Sequence, residues 1–171
     1  MQHLLESFYT VRFSDCDPFR HLNNARYIDY FLNAREDHLK HYYDMDLATF
    51  YKKGSGWVVV QHEINYLRPA AFNEKICIRT GLLEISSEHL LVEMTLLDEK
   101  KSQLKALMHT TFTPVSLNTG KREAHSNEFM EFISDKALAD VDKEAISVKE
   151  RIEYWQQIIR PLAITQSIII K

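Results

Sequence analysis

Asp15-Cys16-Asp17-Pro18-Phe19-Arg20-His21-Leu22-Asn23-Asn24-Ala25-Arg26-Tyr27 is the stretch whose reading decides the fold. Two acids, an imidazole and two amides crowd into a short loop, and an apolar helix follows at once. Asn23 or Asn24 offers the helix N-cap. From Ala25 onward Tyr27, Ile28, Phe31, Leu32, Arg35 (by its stem) and Leu39 recur at helical spacing, with Tyr30 and Ala34 widening the stripe. A helix apolar around so much of its circumference packs against a sheet. Its first backbone N–H groups have no intrahelical partners and lie at the positive end of the helix dipole. A carbonyl oxygen becoming an oxyanion is stabilised in such a place, and a carboxylate beside it can attack that carbonyl or activate water. On spacing alone, Asp and Asn ahead of a helix are more often simple caps.

Ahead of this loop, Phe8 to Ser14 alternate, with Tyr9, Val11 and Phe13 on one face, which predicts a short strand. Behind the helix, Gly54-Ser55-Gly56 breaks the pattern. Val58, Val60, His62, Ile64 and Tyr66 then alternate until Arg68-Pro69. Ile76 to Leu82, Leu90 to Leu96 and Leu104 to Phe112 give three more strands, and the short connections predict an antiparallel meander. Ser126 caps a helix carrying Phe129, Met130 and Ile133. Ser147 and Glu150 form a capping box for another through Trp155 and Ile159, with Pro161 as its stop. The tail from Ile164 to Ile170 reads as a strand paired with this chain's sheet or a partner's. The architecture is α+β: a long central helix wrapped by a curved antiparallel sheet over residues 1–125, with 126–171 a helical C-terminal extension packed on the same domain.

At 171 residues the chain fits one domain, and 45% hydrophobic with 26% charged residues is an ordinary globular balance. A net charge of -3 with scattered Lys and Arg argues against nucleic-acid partners and anionic membrane surfaces. Cys16 and Cys77 are too few for a disulfide framework and lack zinc-finger spacing. The first residues carry no signal-peptide pattern and no stretch approaches a membrane span, so the cytoplasm is the expected address.

The string VRFSDCDPFRHLNNARYIDYFLNARED resembles the opening of the 4-hydroxybenzoyl-CoA thioesterase family of hot-dog-fold acyl-CoA thioesterases. It is also similar to acyl-ACP thioesterases, which carry a comparable Asp-to-His-to-Asn-Asn run. HEINYLRPAAFNEKICIRT resembles the family's second strand and turn, and HTTFTPVSLNTGKR its last long strand and hairpin. The resemblance covers about Phe8 to Arg122. It implies a hot-dog fold and hydrolysis of an acyl thioester on coenzyme A or acyl carrier protein. It places the catalytic carboxylate on Asp17, as nucleophile or general base, and the oxyanion donor at the helix-start amide near Asn24. His21 assists in positioning or proton transfer. Many members have Gly where this chain has Arg20. The family also implies assembly as a homodimer or homotetramer, with no cofactor and no metal.

Asn23, Tyr27 and Arg68 are the candidate substrate-binding residues, Asn23 doubling as a cap and Arg68 lying with Lys75 where a coenzyme A phosphate could rest. Asp15, at the strand end, reads as structural. Cys16 needs a cationic partner to be a nucleophile, and only His21 is near. His62, His89 and His109 read as satisfied strand histidines, and His38 and His41 as an ordinary charged helix end. Two rival readings remain on the same fold: a non-hydrolytic acyl-CoA-binding protein and, less well supported, a hydratase or dehydratase.

Overall fold

The computed structural model describes residues 5–134 and 147–168, the last nine of these as backbone alone. Among the described residues the strands are β1 (Leu5–Thr10), β2 (Ser55–Tyr66), β3 (Lys75–Ile85), β4 (Leu90–Asp98) and β5 (Leu104–Ser116). They form one antiparallel sheet in the order β1-β3-β4-β5-β2. The expected meander holds for β3, β4 and β5 but not for β2. That strand pairs with β5, from Ser55 opposite Ser116 to Tyr66 opposite Ala106, while β1 takes the place beside β3. Alternation identifies strands without saying which edges they join, and β1 laid along Lys75 to Thr80 fills the edge of β3 that a hairpin would have used. β2 is therefore an edge strand. A bulge between Val59 and Gln61 bends it, and Val58, Val59 and Val60 are all exposed.

The first strand starts and ends earlier than its alternation suggests. Beyond Thr10 the chain leaves the sheet. Val11 is fully buried, its amide donating to the Glu74 carbonyl at 2.9 Å, and Phe13–Asp15 form a 3-10 turn with Phe13 81% exposed.

The long helix is α1 (Asn24–Tyr43), and it lies against β1, β3 and β4. Tyr27, Phe31, Ala34 and Leu39 meet Ile76, Ile78, Leu82, Val92, Met94 and Met108 in the inner core. A short helix, α2 (Leu47–Lys52), follows with Asp46 as its cap; six residues are too few for a periodic signal, and the sequence reading passed over it. α3 (Asn127–Ser134) is capped by Ser126, whose Oγ accepts the Phe129 amide at 3.1 Å, and it puts Phe129 and Ile133 into the inner core.

α4 (Val148–Ile168) covers the outer face of the sheet through Val148, Trp155 and Ile159, packed on Cys77, Leu97, Leu104 and Leu107. The capping box is present, with the Glu150 amide donating to Ser147 Oγ and the Ser147 amide to Glu150 Oε2, both at 3.3 Å. Two expectations fail at its far end. The helix runs through Pro161, which deletes one backbone hydrogen bond, and continues to Ile168, so the tail is helical up to that residue and not a strand. Isoleucine costs only a few tenths of a kcal/mol in a helix, about 0.5 kcal/mol relative to Ala, so composition alone did not forbid this. Ile169 and Ile170 lie outside the described residues.

Candidate active site

The loop from Cys16 to Leu22 is a tight reversal closed by its own backbone. Cys16 bridges Leu22, and the Asp17 amide donates to the His21 carbonyl at 2.8 Å. Asp17 Oδ1 accepts two amides, from Phe19 at 2.9 Å and from His21 at 3.1 Å. Among the described residues nothing donates to Oδ2, so the carboxylate is anchored by one oxygen and offers the other. Outside the loop, the Leu22 amide donates to Ala70 O and the Phe72 amide to Arg20 O, both at 2.8 Å. The residues after β2 thus clamp the reversal from behind.

Arg20 sits at the tip of this reversal with φ 64, in the left-handed region. That conformation is free to glycine and costs an L-residue about 1 kcal/mol. Arg20 carries that cost at the tip of the loop, where a glycine would not.

At the start of α1 the amides are accounted for individually. Ala25 donates to Asn23 Oδ1 at 3.0 Å and Arg26 to Asn23 O at 2.8 Å. Asn23 is the N-cap, which settles which of the two asparagines takes that place. Among the described residues the Asn24 amide has no acceptor, and it is the exposed donor at the positive end of a twenty-residue helix. The Asn24 carbonyl accepts from the Tyr66 hydroxyl at 2.9 Å.

The other acid is differently engaged. Asp15 Oδ2 accepts from the Tyr30 hydroxyl at 2.8 Å, Arg26 Nε lies 3.9 Å from Oδ1, and the Asp15 carbonyl accepts the Asn23 amide at 2.9 Å. The Cys16 thiol donates to Arg12 O at 3.2 Å. Burial and the neighbouring Asp15 and Asp17 push its pKa up, the opposite of what a thiolate nucleophile needs.

Asp17, His21, Asn23 and Asn24 follow one another along the loop and the helix start, Tyr27 stands behind them in the core within range of the Asp17 charge, and Arg68 lies under α4. Tyr27 is 2% exposed, its hydroxyl accepts the Ala70 amide at 3.2 Å, and its ring meets Tyr66 edge-on at 5.1 Å. It braces the clamp from within the core, a consequence of its place on the apolar stripe. Arg68 lines a depression of 520 Å³ under α4 with Gln103, Gln156 and Ile159. Lys75 pairs with Glu99 at 2.9 Å. The sequence reading missed Tyr30 and Tyr66, which hold Asp15 and Asn24 across the fold, because partners so distant in sequence leave no spacing signal. It also missed an aromatic rim: Phe13 and Phe19 are 81% and 79% exposed, and Phe13 meets Phe72 edge-on at 6.0 Å.

The profile of the thioesterase-like superfamily matches residues 11–139. The chain belongs to the thioesterase-like superfamily. As a member it is a thioester hydrolase, and its curved five-stranded sheet around α1 is the hot-dog fold. Long-chain acyl-CoA thioesterase FadM of Escherichia coli (strain K12) is 30% identical over 121 residues, covering 71% of this chain and 90% of that protein. The crystal structure of YbaW, a probable thioesterase from Escherichia coli, has a TM-score of 0.69 at 27% identity, over 80% of this chain and 100% of that one. DHNA-CoA thioesterase from Staphylococcus aureus shares the fold, with a TM-score of 0.70 at 19% identity over 76% of this chain and 88% of that one. The superfamily match takes in the reversal, α1 and every strand from β2 to β5. Among the described residues no group of three acids, histidines or cysteines could hold a metal ion.

Proposed function

We propose that this protein hydrolyses acyl-CoA thioesters with Asp17 as the reacting carboxylate. The observation that carries the reading is the one-sided anchoring of Asp17: Oδ1 takes the Phe19 and His21 amides, and Oδ2 is left to react. Oδ2 attacks the thioester carbonyl, or it removes a proton from a water that attacks. In the first case an acyl-aspartyl anhydride forms and coenzyme A leaves as the thiolate; water then cleaves the anhydride, releasing the acid and restoring the carboxylate, and the proton set free can be taken up by the thiolate. In either case the developing oxyanion is met by the Asn24 amide at the α1 N-terminus. His21 positions Asp17 through its backbone, and Asn23 keeps the helix start in place. Coenzyme A is favoured over acyl carrier protein by the likeness to FadM, named a long-chain acyl-CoA thioesterase.

The proposal includes a homodimer joined along β2. An edge strand with three exposed valines offers unpaired backbone to a second copy, and the aromatic rim of Phe13, Phe19 and Phe72 gives a partner or the acyl group an apolar seat. It takes residues 1–125 as the hot-dog unit and 126–171 as an extension of the same domain, supported by α3 in the inner core and α4 on the outer face. A cytoplasmic address fits two free thiols, Cys16 and Cys77. Among the described residues no helix is long and apolar enough to cross a membrane.

The test is release of free thiol from acyl-CoAs of graded chain length, and from an acyl carrier protein thioester, by the native protein and by Asp17→Asn. Thiol release that Asp17→Asn leaves untouched overturns the role of Asp17. Preference for the carrier-protein thioester overturns the choice of coenzyme A.

A further inference from the structure

A second feature of α1 is independent of the Asp17 loop. Arg35 stands on the inward face of the helix and is only 6% exposed. Among the described residues its guanidinium makes one hydrogen bond, a long one of 3.5 Å to Thr80 Oγ1, and no ion pair. Thr80 Oγ1 also lies 2.8 Å from His38 Nδ1, and a neutral hydroxyl 3.5 Å away does not neutralise a full charge. A guanidinium stays protonated, and burying one without a carboxylate costs several kcal/mol. Native cores seldom hold such a charge without a use for it.

Arg35 lines a cavity of 190 Å³ between α1, the sheet and α3. The rest of the wall is mostly apolar, including Leu39, Trp57, Val92, Phe112 and Phe129. Glu36 and Tyr51, both exposed, stand at the rim, so the cavity opens to solvent and the acid there is hydrated. The volume holds about six groups of the size of a water or a methylene, enough for the carboxylate end of a longer chain whose remainder leaves through the open rim. An apolar slot beside a buried cation that has no ion pair among the described residues is complementary to an aliphatic chain ending in an anion.

We propose that this cavity binds an aliphatic carboxylate, its chain against Trp57, Phe112 and Phe129 and its carboxylate on Arg35. The carboxylate has two chemical sources. It can be a free fatty acid, the product class of the proposed reaction, held at a site apart from the loop. Or it can be the far end of an ω-carboxyacyl thioester, since Arg35 lies eleven residues along α1 from Asn24, a separation of about 16 Å that a long-chain diacid spans.

Trp57 lines the cavity and reports on its occupancy. Tryptophan fluorescence of the full chain is titrated with octanoate and with 1-octanol. The proposal expects octanoate to bind at least tenfold more tightly than octanol. Arg35→Met, which keeps the stem volume and removes the charge, should lose that tenfold preference, and Arg35→Lys should retain part of it. Equal affinity for acid and alcohol in the native protein overturns the proposal without recourse to any variant, as does an undiminished preference in Arg35→Met. To separate the sources, tetradecanoyl-CoA is compared with the mono-CoA thioester of tetradecanedioic acid. A lower KM for the diacid thioester, abolished in Arg35→Met, assigns the carboxylate to the substrate's far end. Equal KM values with octanoate binding intact assign it to free acid. Because octanoate binding is read without turnover, failure of this proposal and failure of the hydrolase reading are distinguishable.

Discussion

Glu93 on β4 and Arg151 on α4 form a two-pronged ion pair under the helix, Nε to Oε2 at 2.8 Å and Nη2 to Oε1 at 2.7 Å, with both side chains buried. Trp155 Nε1 donates to the same carboxylate at 2.8 Å, and His109 Nε2 lies 3.2 Å from it. This cluster ties α4 to the outer face of the sheet. Removing one partner leaves the other buried and uncompensated, so Arg151→Met should cost about 3–5 kcal/mol. The loss is read from the urea midpoint. Replacing Glu93 and Arg151 together by Leu and Met should recover much of it, and a double variant as unstable as the single one contradicts the account.

Acid should weaken the fold in two successive windows that meet between about pH 4.5 and 4. Burial, with the Arg35 charge close by, pushes His38 down to about 4. Its pKa is therefore lower folded than unfolded, the unfolded chain binds the extra proton, and stability falls as pH drops from 6.5 towards 4. For Glu93 burial pushes upward, but hydrogen bonds from Arg151, His109 and Trp155 outweigh it and hold the carboxyl at about 2. Its contribution is present above pH 4.5 and is lost as pH falls from there towards 2. Unfolding free energy measured against pH should show both falls, and His38→Gln should flatten only the upper one.

Arg20 at φ 64 predicts an unusual order of substitutions. Arg20→Gly relieves the left-handed strain but gains unfolded-chain entropy, so stability should be unchanged or rise by up to about 1 kcal/mol. Arg20→Val, β-branched in the same conformation, should lower it by more than about 1 kcal/mol. Denaturant midpoints of the two variants settle the order.

The β2 edge predicts self-association. Lysine at both Val58 and Val60 should convert a dimer to a monomer in sedimentation velocity while leaving the circular dichroism spectrum intact. A native protein that sediments as a monomer contradicts the proposed pairing.

What the sequence made legible follows from the range of each signal. The long helix and the strands were visible because Tyr27, Phe31 and Leu39, or Val92, Met94 and Leu96, repeat within a few residues. The polar loop cluster was visible because Asp17, His21 and Asn24 are neighbours along the chain. The pairing of β2 with β5, the clamp of Ala70 and Phe72 behind the reversal, and the hold of Tyr66 on Asn24 were not visible. Each joins residues far apart in sequence, and no periodicity encodes such a partner. Tyr27 and Arg68 show the opposite limit: they belong to the right segments, but the fold turns one into the core and the other under α4. Arg35 read as an apolar stem on a stripe, and only the cavity beside it makes its charge conspicuous.

The central claim is that Asp17, and not the equally near Asp15, performs the reaction. Asp15 is tied to Tyr30, whereas Asp17 keeps Oδ2 open. The deciding measurement is kcat for thiol release from a long-chain acyl-CoA by Asp17→Asn and Asp15→Asn, each checked for native unfolding behaviour. Asp17→Asn should lose on the order of 10²–10⁴-fold in kcat, while Asp15→Asn should lose far less and mainly destabilise the fold. Equal losses, or a larger loss at Asp15, would contradict the account.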